Sequence, residues 1–212
     1  SHDGSFGQGA LQSSRSMEIK MKEPLVFLLM GRSGCGKGTQ AKLLIKYLRD
    51  NNLGETLYVY TGEKLRNFAE KEKILSARLA KSKMKAGGLL PSFLAVWLWS
   101  DSLIEGVNES NNVIMDGSPR TLLEAMMMDD AMEFYGRSNI IPIFLETSEN
   151  WSTQRLLGRG RNDDSLESIK KRLAYFKKDV VPVIDYYSGK SRHKLIRING
   201  EQGMEEVHKE IL

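Results

Sequence analysis

Residues 31–39, Gly31-Arg32-Ser33-Gly34-Cys35-Gly36-Lys37-Gly38-Thr39, follow the apolar run 25–30 and precede a helical pattern expected from about residue 40. A strand feeding a glycine-rich turn and then a helix aims successive backbone N–H groups, and the positive end of the helix dipole, at one point. Polyanionic phosphate can sit there. Gly31, the next four residues and Gly36-Lys37 fit the first part of the phosphate-loop pattern, with Lys37 supplying charge for the outer phosphates. Gly38 holds the place where that pattern has Ser or Thr, and the hydroxyl comes one residue later at Thr39. Arginines punctuate the ends of later elements: Arg66, Arg120, Arg155, Arg159, Arg161 and Arg172. Their planar forks grip phosphate oxygens through paired bonds, so their convergence suits phosphoryl transfer, which needs positioning and matched charge. Asp116 closes an apolar strand, where a carboxylate reaches a magnesium ion through water beside gripped phosphates.

The elements that must position these groups alternate. Strands are expected at 25–30, 57–60, 113–115, 140–145 and 194–198. Helices are expected at 41–48, 63–85, 93–104, 122–135, 152–157, 166–187 and 205–212. Pro182 should kink or break the helix it lies in. The charged stretch 63–85 has only intermittent apolar points and stops at Gly87-Gly88, which reads as a mobile flap with little to bury. Trp97, Trp99 and the run Met126-Met127-Met128 read as helical core packing, with a partner surface as the alternative. Such alternation implies an α/β fold with a parallel sheet covered on both faces and the ligand beyond the strands' carboxyl ends.

Composition narrows the rest. The 31 Lys and Arg against 27 Asp and Glu leave a net charge of +4 without one basic block, so charge alone does not call for nucleic acid. No apolar run approaches the ~20 residues of a membrane span. The single Cys35 excludes an internal disulfide and a four-cysteine zinc site, and fits a reducing cytoplasm; its backbone N–H matters here more than its thiol. Residues 1–16, rich in Gly, Ser and Gln, read as a tag or disordered arm, with the domain from 17 to 212. His2, His193 and His208 are scattered without ligand spacing.

These motifs together resemble the nucleoside monophosphate kinases, and within them the adenylate kinases, over nearly the whole chain from Leu25. Residues 31–40 are similar to the family's phosphate loop, including its Gly-Thr after the lysine. Thr61-Gly62-Glu63-Lys64-Leu65-Arg66 and Asp116-Gly117-Ser118-Pro119-Arg120-Thr121 resemble two further signatures. Arg159-Gly160-Arg161-Asn162-Asp163-Asp164 with Lys171-Arg172-Leu173 resembles the lid and the helix behind it.

The resemblance implies a three-layer P-loop fold with a five-stranded parallel sheet, a small monophosphate-binding insertion at 60–90 and a minimal lid at 155–164. It implies that Gly34, Cys35, Gly36, Lys37, Gly38 and Thr39 hold ATP, covered by Arg155 and Arg159, with Gly200 and Gln202 near its adenine. Thr61, Arg66, Gly117 and Arg120 would hold the monophosphate, Leu89 and Leu90 line its base, and Arg161 and Arg172 bridge both phosphate groups. Asp163 and Asp164 would orient the lid arginines. Lys37, Arg120, Arg159, Arg161 and Arg172 would be catalytic, with Mg²⁺ accompanying ATP near Asp116. The expected partners are these nucleotides, with no nucleic acid, membrane or zinc, for a cytoplasmic monomer.

Three departures stand out. Only Gly160 separates Arg159 from Arg161, so no free-standing lid fits, and closure should involve mainly the flap and a small arginine hairpin. Glu124 replaces the family's glutamine; an ionised carboxylate only accepts and would suit guanine, while Thr61 resembles the adenine-selective members, and AMP is the expected acceptor. Glu124 could also be a solvated helix residue. Ser118 replaces phenylalanine, and its bond to Pro119 is expected to be cis. Rival readings are a preference for another monophosphate, a P-loop ATP hydrolase and a nucleotide-dependent binding module.

Overall fold

The computed structural model describes residues 23–161 and 164–212; the terminal arm at 1–16 and the role expected of Asp163 lie outside the described residues. Five strands, β1 (Val26–Gly31), β2 (Thr56–Tyr60), β3 (Asn112–Asp116), β4 (Ile140–Glu146) and β5 (Ile196–Asn199), pair in parallel in the order β2-β3-β1-β4-β5. Continuous apolar runs make these strands because both faces are buried. In β1, Val26, Leu28 and Met30 pack to one side, and Phe27 and Leu29 to the other.

On the first side lie α4 (Ser92–Gly106), α5 (Leu122–Phe134) and α8 (Val181–Asp185), whose Trp99, Met128, Met132 and Val183 fill the larger core. Trp97, Met126 and Met127 are 46, 55 and 41 % exposed, correcting the expectation that they pack inside. On the second lie α1 (Lys37–Asp50) and α9 (Met204–Ile211), through Ala41, Leu44, Leu48 and Val207. Each fully buried large side chain contributes roughly 1.5–3 kcal/mol. Among the described residues no helix is long and apolar enough to cross a membrane.

Several expectations are corrected. The first helix starts at Lys37, earlier than expected, because Gly36 at φ +102° supplies the left-handed turn that begins it. The stretch 63–85 is two helices, α2 (Thr61–Ala69) and α3 (Leu75–Lys85), separated by a turn in which Lys71 N–H donates to the Phe68 carbonyl. This flap buries more than its charge suggested: Phe68, Ala77, Ala80 and Leu90 form a separate small core with Leu94 and Leu98 of α4.

The helix α6 (Glu149–Arg159) begins three residues before the expected start, capped by the Ser148 hydroxyl, which accepts from Trp151 N–H. After α7 (Leu166–Tyr175), Pro182 does not break the helical run. A π-helical turn over Phe176–Val180 precedes α8, and Val181 N–H reaches back to the Phe176 carbonyl, so the backbone has already shifted register where the proline lacks a donor. A second π turn, Tyr186–Lys190, follows, and both Tyr186 and Tyr187 donate to Asp129.

Candidate active site

The phosphate loop takes its shape from three glycines at positive φ. A Cβ on Gly31 would stand 2.6 Å from Cys35 Sγ, and one on Gly34 would stand 2.9 Å from the Ser152 carbonyl, so neither tolerates a side chain. Lys37 occupies the first helical position, and its Nζ folds back to donate to the carbonyls of Gly31 and Arg32 at 2.9 and 3.0 Å. Thr39 and Gln40 N–H donate to the Gly36 carbonyl at 3.0 Å each, which closes the first turn of α1 beside this ammonium. Cys35 is buried, and its N–H donates to the Arg32 carbonyl at 3.2 Å. Arg32 itself lies over the Phe176 ring, 4.3 Å from its centroid.

Beyond the carboxyl ends of the strands opens a cleft of about 720 Å³, lined by Gly34, Gly36, Lys37, Gly38 and Thr39. Arg66, Arg120, Arg155, Arg159, Arg161 and Arg172 line the same cleft. A small pocket of about 20 Å³ beside it is bounded by Lys37, Gly117, Arg120, Arg172 and Tyr175. Gly117, at φ +85°, leaves room for Arg120, whose Nη2 lies 2.9 Å from where a Cβ would be. Arg120 Nε donates to the Gly117 carbonyl at 2.6 Å. Ser118-Pro119, which precedes it, is cis.

So many cations in one cleft repel unless carboxylates and dipoles hold them. Asp164, whose side chain is 1 % exposed, accepts from Arg159 Nε and Nη2 at 2.9 and 2.8 Å and from Arg172 Nη1 at 2.9 Å. Burial alone would raise its pKa; Arg159 and then Arg172 outweigh it and hold the carboxyl below its ordinary range. Tyr60 links two further arginines, accepting from Arg66 Nη2 and Arg161 Nη1, each at 3.2 Å. Burial acts to raise this phenol, and the two guanidiniums bring it below its ordinary value. Arg155 lies over the Trp151 ring at 5.1 Å.

Asp116 is 3 % exposed and its Oδ2 accepts from the Tyr58 hydroxyl at 2.8 Å. Burial first, and the Asp116 charge second, push the Tyr58 phenol up and keep it a donor. A Cβ on Gly38 would sit 3.3 Å from Asp116 Oδ2, a tight approach. Asp116 and Thr39 both line the cleft. Among the described residues no cluster of three His, Cys, Asp or Glu gathers to hold a metal by itself. One carboxylate and one hydroxyl suit a hard cation that keeps most of its waters and takes phosphate oxygens.

Other residues singled out in the sequence lie off this cleft. Leu90 is sealed in the flap core, and Met84, Gly87 and Gly88 form the wall expected of Leu89 and Leu90. Thr61 shares a 2.9 Å hydrogen bond with the Ser118 hydroxyl, both buried, so the residue replacing phenylalanine supplies a polar partner. Glu124 is no solvated helix residue: it is 1 % exposed beside Thr121 and Arg120, and burial raises its pKa against the pull of Arg120. Gly200 packs on Thr147 and the Cys35 carbonyl, and Gln202 donates to the Asn199 carbonyl and Glu210; Met204 reaches the cleft instead.

Sequence reading missed Tyr58, Tyr60 and Tyr175. The first two share one face of β2 at its carboxyl end, a period-two signal that was available; Tyr175 lies one turn beyond Arg172 on α7.

Comparison with known proteins places this geometry in context. The family described as adenylate kinase matches residues 29–192. The chain is similar to adenylate kinase 1 of Nostoc sp., 35 % identical over 187 residues that cover 88 % of this chain and 95 % of that protein. It is equally similar, 35 % over 190 residues, to the adenylate kinase of Azobacteroides pseudotrichonymphae, covering 87 % of this chain and 93 % of the relative. The adenylate kinase of Parabacteroides distasonis is 32 % identical over 185 residues, 85 % of this chain and 92 % of its own.

Proposed function

The chain belongs to the adenylate kinase family, a family of phosphotransferases, and on that premise we propose that it moves the terminal phosphoryl group of Mg-ATP reversibly onto AMP to give two ADP. The observation that carries this reading is the cleft of about 720 Å³ that Lys37 of the phosphate loop, Arg120 and Arg172 line together. A donor held from one side and an acceptor held from the other would face each other there.

In this reading residues 34–39 cradle the donor's phosphates, with Arg155 and Arg159 over them and Met204, in place of Gly200 and Gln202, toward its base. Arg66 and Arg120 grip the acceptor phosphate within the 60–90 insertion. An oxygen of that phosphate attacks the γ-phosphorus, the bond from this phosphorus to the bridging β–γ oxygen breaks, and ADP leaves with the electron pair. Negative charge shifts between acceptor and donor oxygens, and the guanidiniums of Arg161 and Arg172 match it on both sides. Asp164 keeps two of these arginines aimed before substrate arrives, so less reorganisation is needed in the transition state. Asp116 and Thr39 would hold Mg²⁺ accompanying ATP through water, and the ion would supply charge neutralisation for the phosphates. The 155–164 segment acts as a minimal lid, and flap closure excludes water that would otherwise take the phosphoryl group. The lone thiol suits a reducing cytoplasm.

Adenine is the base we favour. The relatives at 32–35 % identity are named adenylate kinases, and Glu124, 1 % exposed and off the cleft, is not placed to select guanine by its charge. Steady-state turnover with ATP and each of AMP, GMP, CMP and UMP tests this. AMP is expected to give the highest kcat/KM, and a higher value for GMP overturns it.

A further inference from the structure

Arg32 is the arginine inside the phosphate loop, yet it lines neither the cleft nor the small pocket beside it. Its backbone carbonyl serves the loop, accepting from Lys37 Nζ and from Cys35 N–H. Its side chain turns away and joins two other segments. Nη1 donates to the Thr147 carbonyl, and the guanidinium lies over the Phe176 ring, 4.3 Å from its centroid. Nε is buried without a partner among the described residues, so the carbonyl and the ring face are what hold this charge.

Those two contacts fall at the two ends of one excursion of the chain. Thr147 directly follows β4 and precedes Ser148, the cap of α6, and its hydroxyl shares a 3.0 Å hydrogen bond with Ser152 in the first turn of that helix. Phe176 directly follows Tyr175, the last residue of α7, and opens the π turn, a change of register that recurs at functional sites. Between these roots α6 and α7 pack on each other through Leu156, Ile169 and Leu173. Arg155, Arg159, Arg161 and Arg172 all lie on this hairpin. Phe176 is in turn stacked on Phe144 of β4, with centroids 6.2 Å apart, so the second root is seated on the sheet. The other tie between the roots, Lys177 to Glu149 at 2.7 Å, is solvent-exposed and worth little.

We propose, resting on the phosphoryl-transfer reading above, that Arg32 is a positioning residue: it clasps both roots of the α6–α7 hairpin to the phosphate loop and so sets where the hairpin's four arginines stand over the donor. Removing its side chain leaves the loop's backbone, and the carbonyl that Lys37 holds, in place. The ground-state hold on ATP therefore changes little. The arginines that match charge in the transition state lose their register with the loop, and a misplacement of about 1 Å can cost about 10²-fold. The effect belongs in kcat.

Two variants and their combination test this. Arg32→Met keeps the stem and removes the planar fork; Phe176→Leu removes the ring face. Each should lower kcat by about tenfold or more, with the Kd for ATP from titration calorimetry within about threefold of the unaltered chain. The double variant should lose little more than either alone, because both break one clasp. An unchanged kcat in Arg32→Met with only a lower melting temperature overturns the proposal, and so do losses that multiply. Amide hydrogen exchange reads the clasp without turnover: exchange over residues 149–175 should quicken in Arg32→Met while α4 and α5 keep theirs. Equal exchange with and without the substitution overturns the clasp. An unaltered chain that transfers nothing to AMP would sink the kinase reading, and the exchange result would still decide the clasp.

Discussion

Guanidiniums crowded around one cleft repel one another, and two side chains decide how this molecule holds them. Asp164 fixes Arg159 and Arg172 with bonds of 2.8 to 2.9 Å from a nearly fully buried position. Removing its charge takes the shared carboxylate from Arg159 and from the buried Arg172, so Asp164→Asn should lose about 3 kcal/mol of stability at neutral pH. The folded-state pKa lies below the ordinary 3.8, so this contribution is complete above that value and is lost as pH falls through the lower, folded one. Denaturant unfolding of both proteins at descending pH should show the gap shrinking below about pH 4; a gap constant with pH contradicts the assignment. Tyr60 joins an arginine of the flap to one of the lid, Arg66 to Arg161. Tyr60→Phe keeps the ring and deletes the acceptor, and a hydrogen bond to a charged group is worth about 1.5 kcal/mol, so kcat/KM for AMP should fall roughly tenfold. Steady-state kinetics with an unchanged melting temperature would assign the loss to arginine placement; unaltered kinetics would remove Tyr60 from the site.

At the scale of elements, the flap meets the helix behind the lid at one tight point. Gly87 sits at φ +72°, and a Cβ there would lie 2.5 Å from the Ser168 carbonyl of α7. Gly87→Ala should therefore push α3 away from α7 and raise KM for AMP by about tenfold, with a smaller change in kcat, since such strain amounts to about 1–3 kcal/mol. Titration of AMP checks this, and an unmoved KM would mean that the flap does not close through that contact. The sequence made the strands legible because parallel strands buried on both faces are apolar throughout, and made the phosphate loop legible because glycine spacing has few other uses. It hid the break between α2 and α3, since Glu70, Lys71, Glu72 and Lys73 are all compatible with a helix. That turn is held by contacts distant in sequence, with Lys81 bridging Glu70 and Glu72. Pro182 misled for a related reason: the π turn before it shifts the backbone register in a way that residue types do not announce. Tyr60 read as an ordinary strand residue, and only its place at the strand's carboxyl end put it at the cleft.

At the scale of the whole molecule, a sheet with its helices brings the glycine-rich loop before α1, the helices α2 and α3, the turn after β3 and the end of α6 to one side of the strands. Lys37, Arg66, Arg120, Arg155, Arg159, Arg161 and Arg172 all line a single cleft. A hydrolase would need only half of that arrangement, because water requires no arginine-lined acceptor site. Following the label from ATP carrying ³²P in its γ-phosphate, in the presence of AMP and magnesium, tests the difference most directly. The account predicts one β-labelled ADP for each ATP consumed, with little label in inorganic phosphate and little ATP loss when AMP is omitted. Release of labelled inorganic phosphate at the same rate with and without AMP would contradict it.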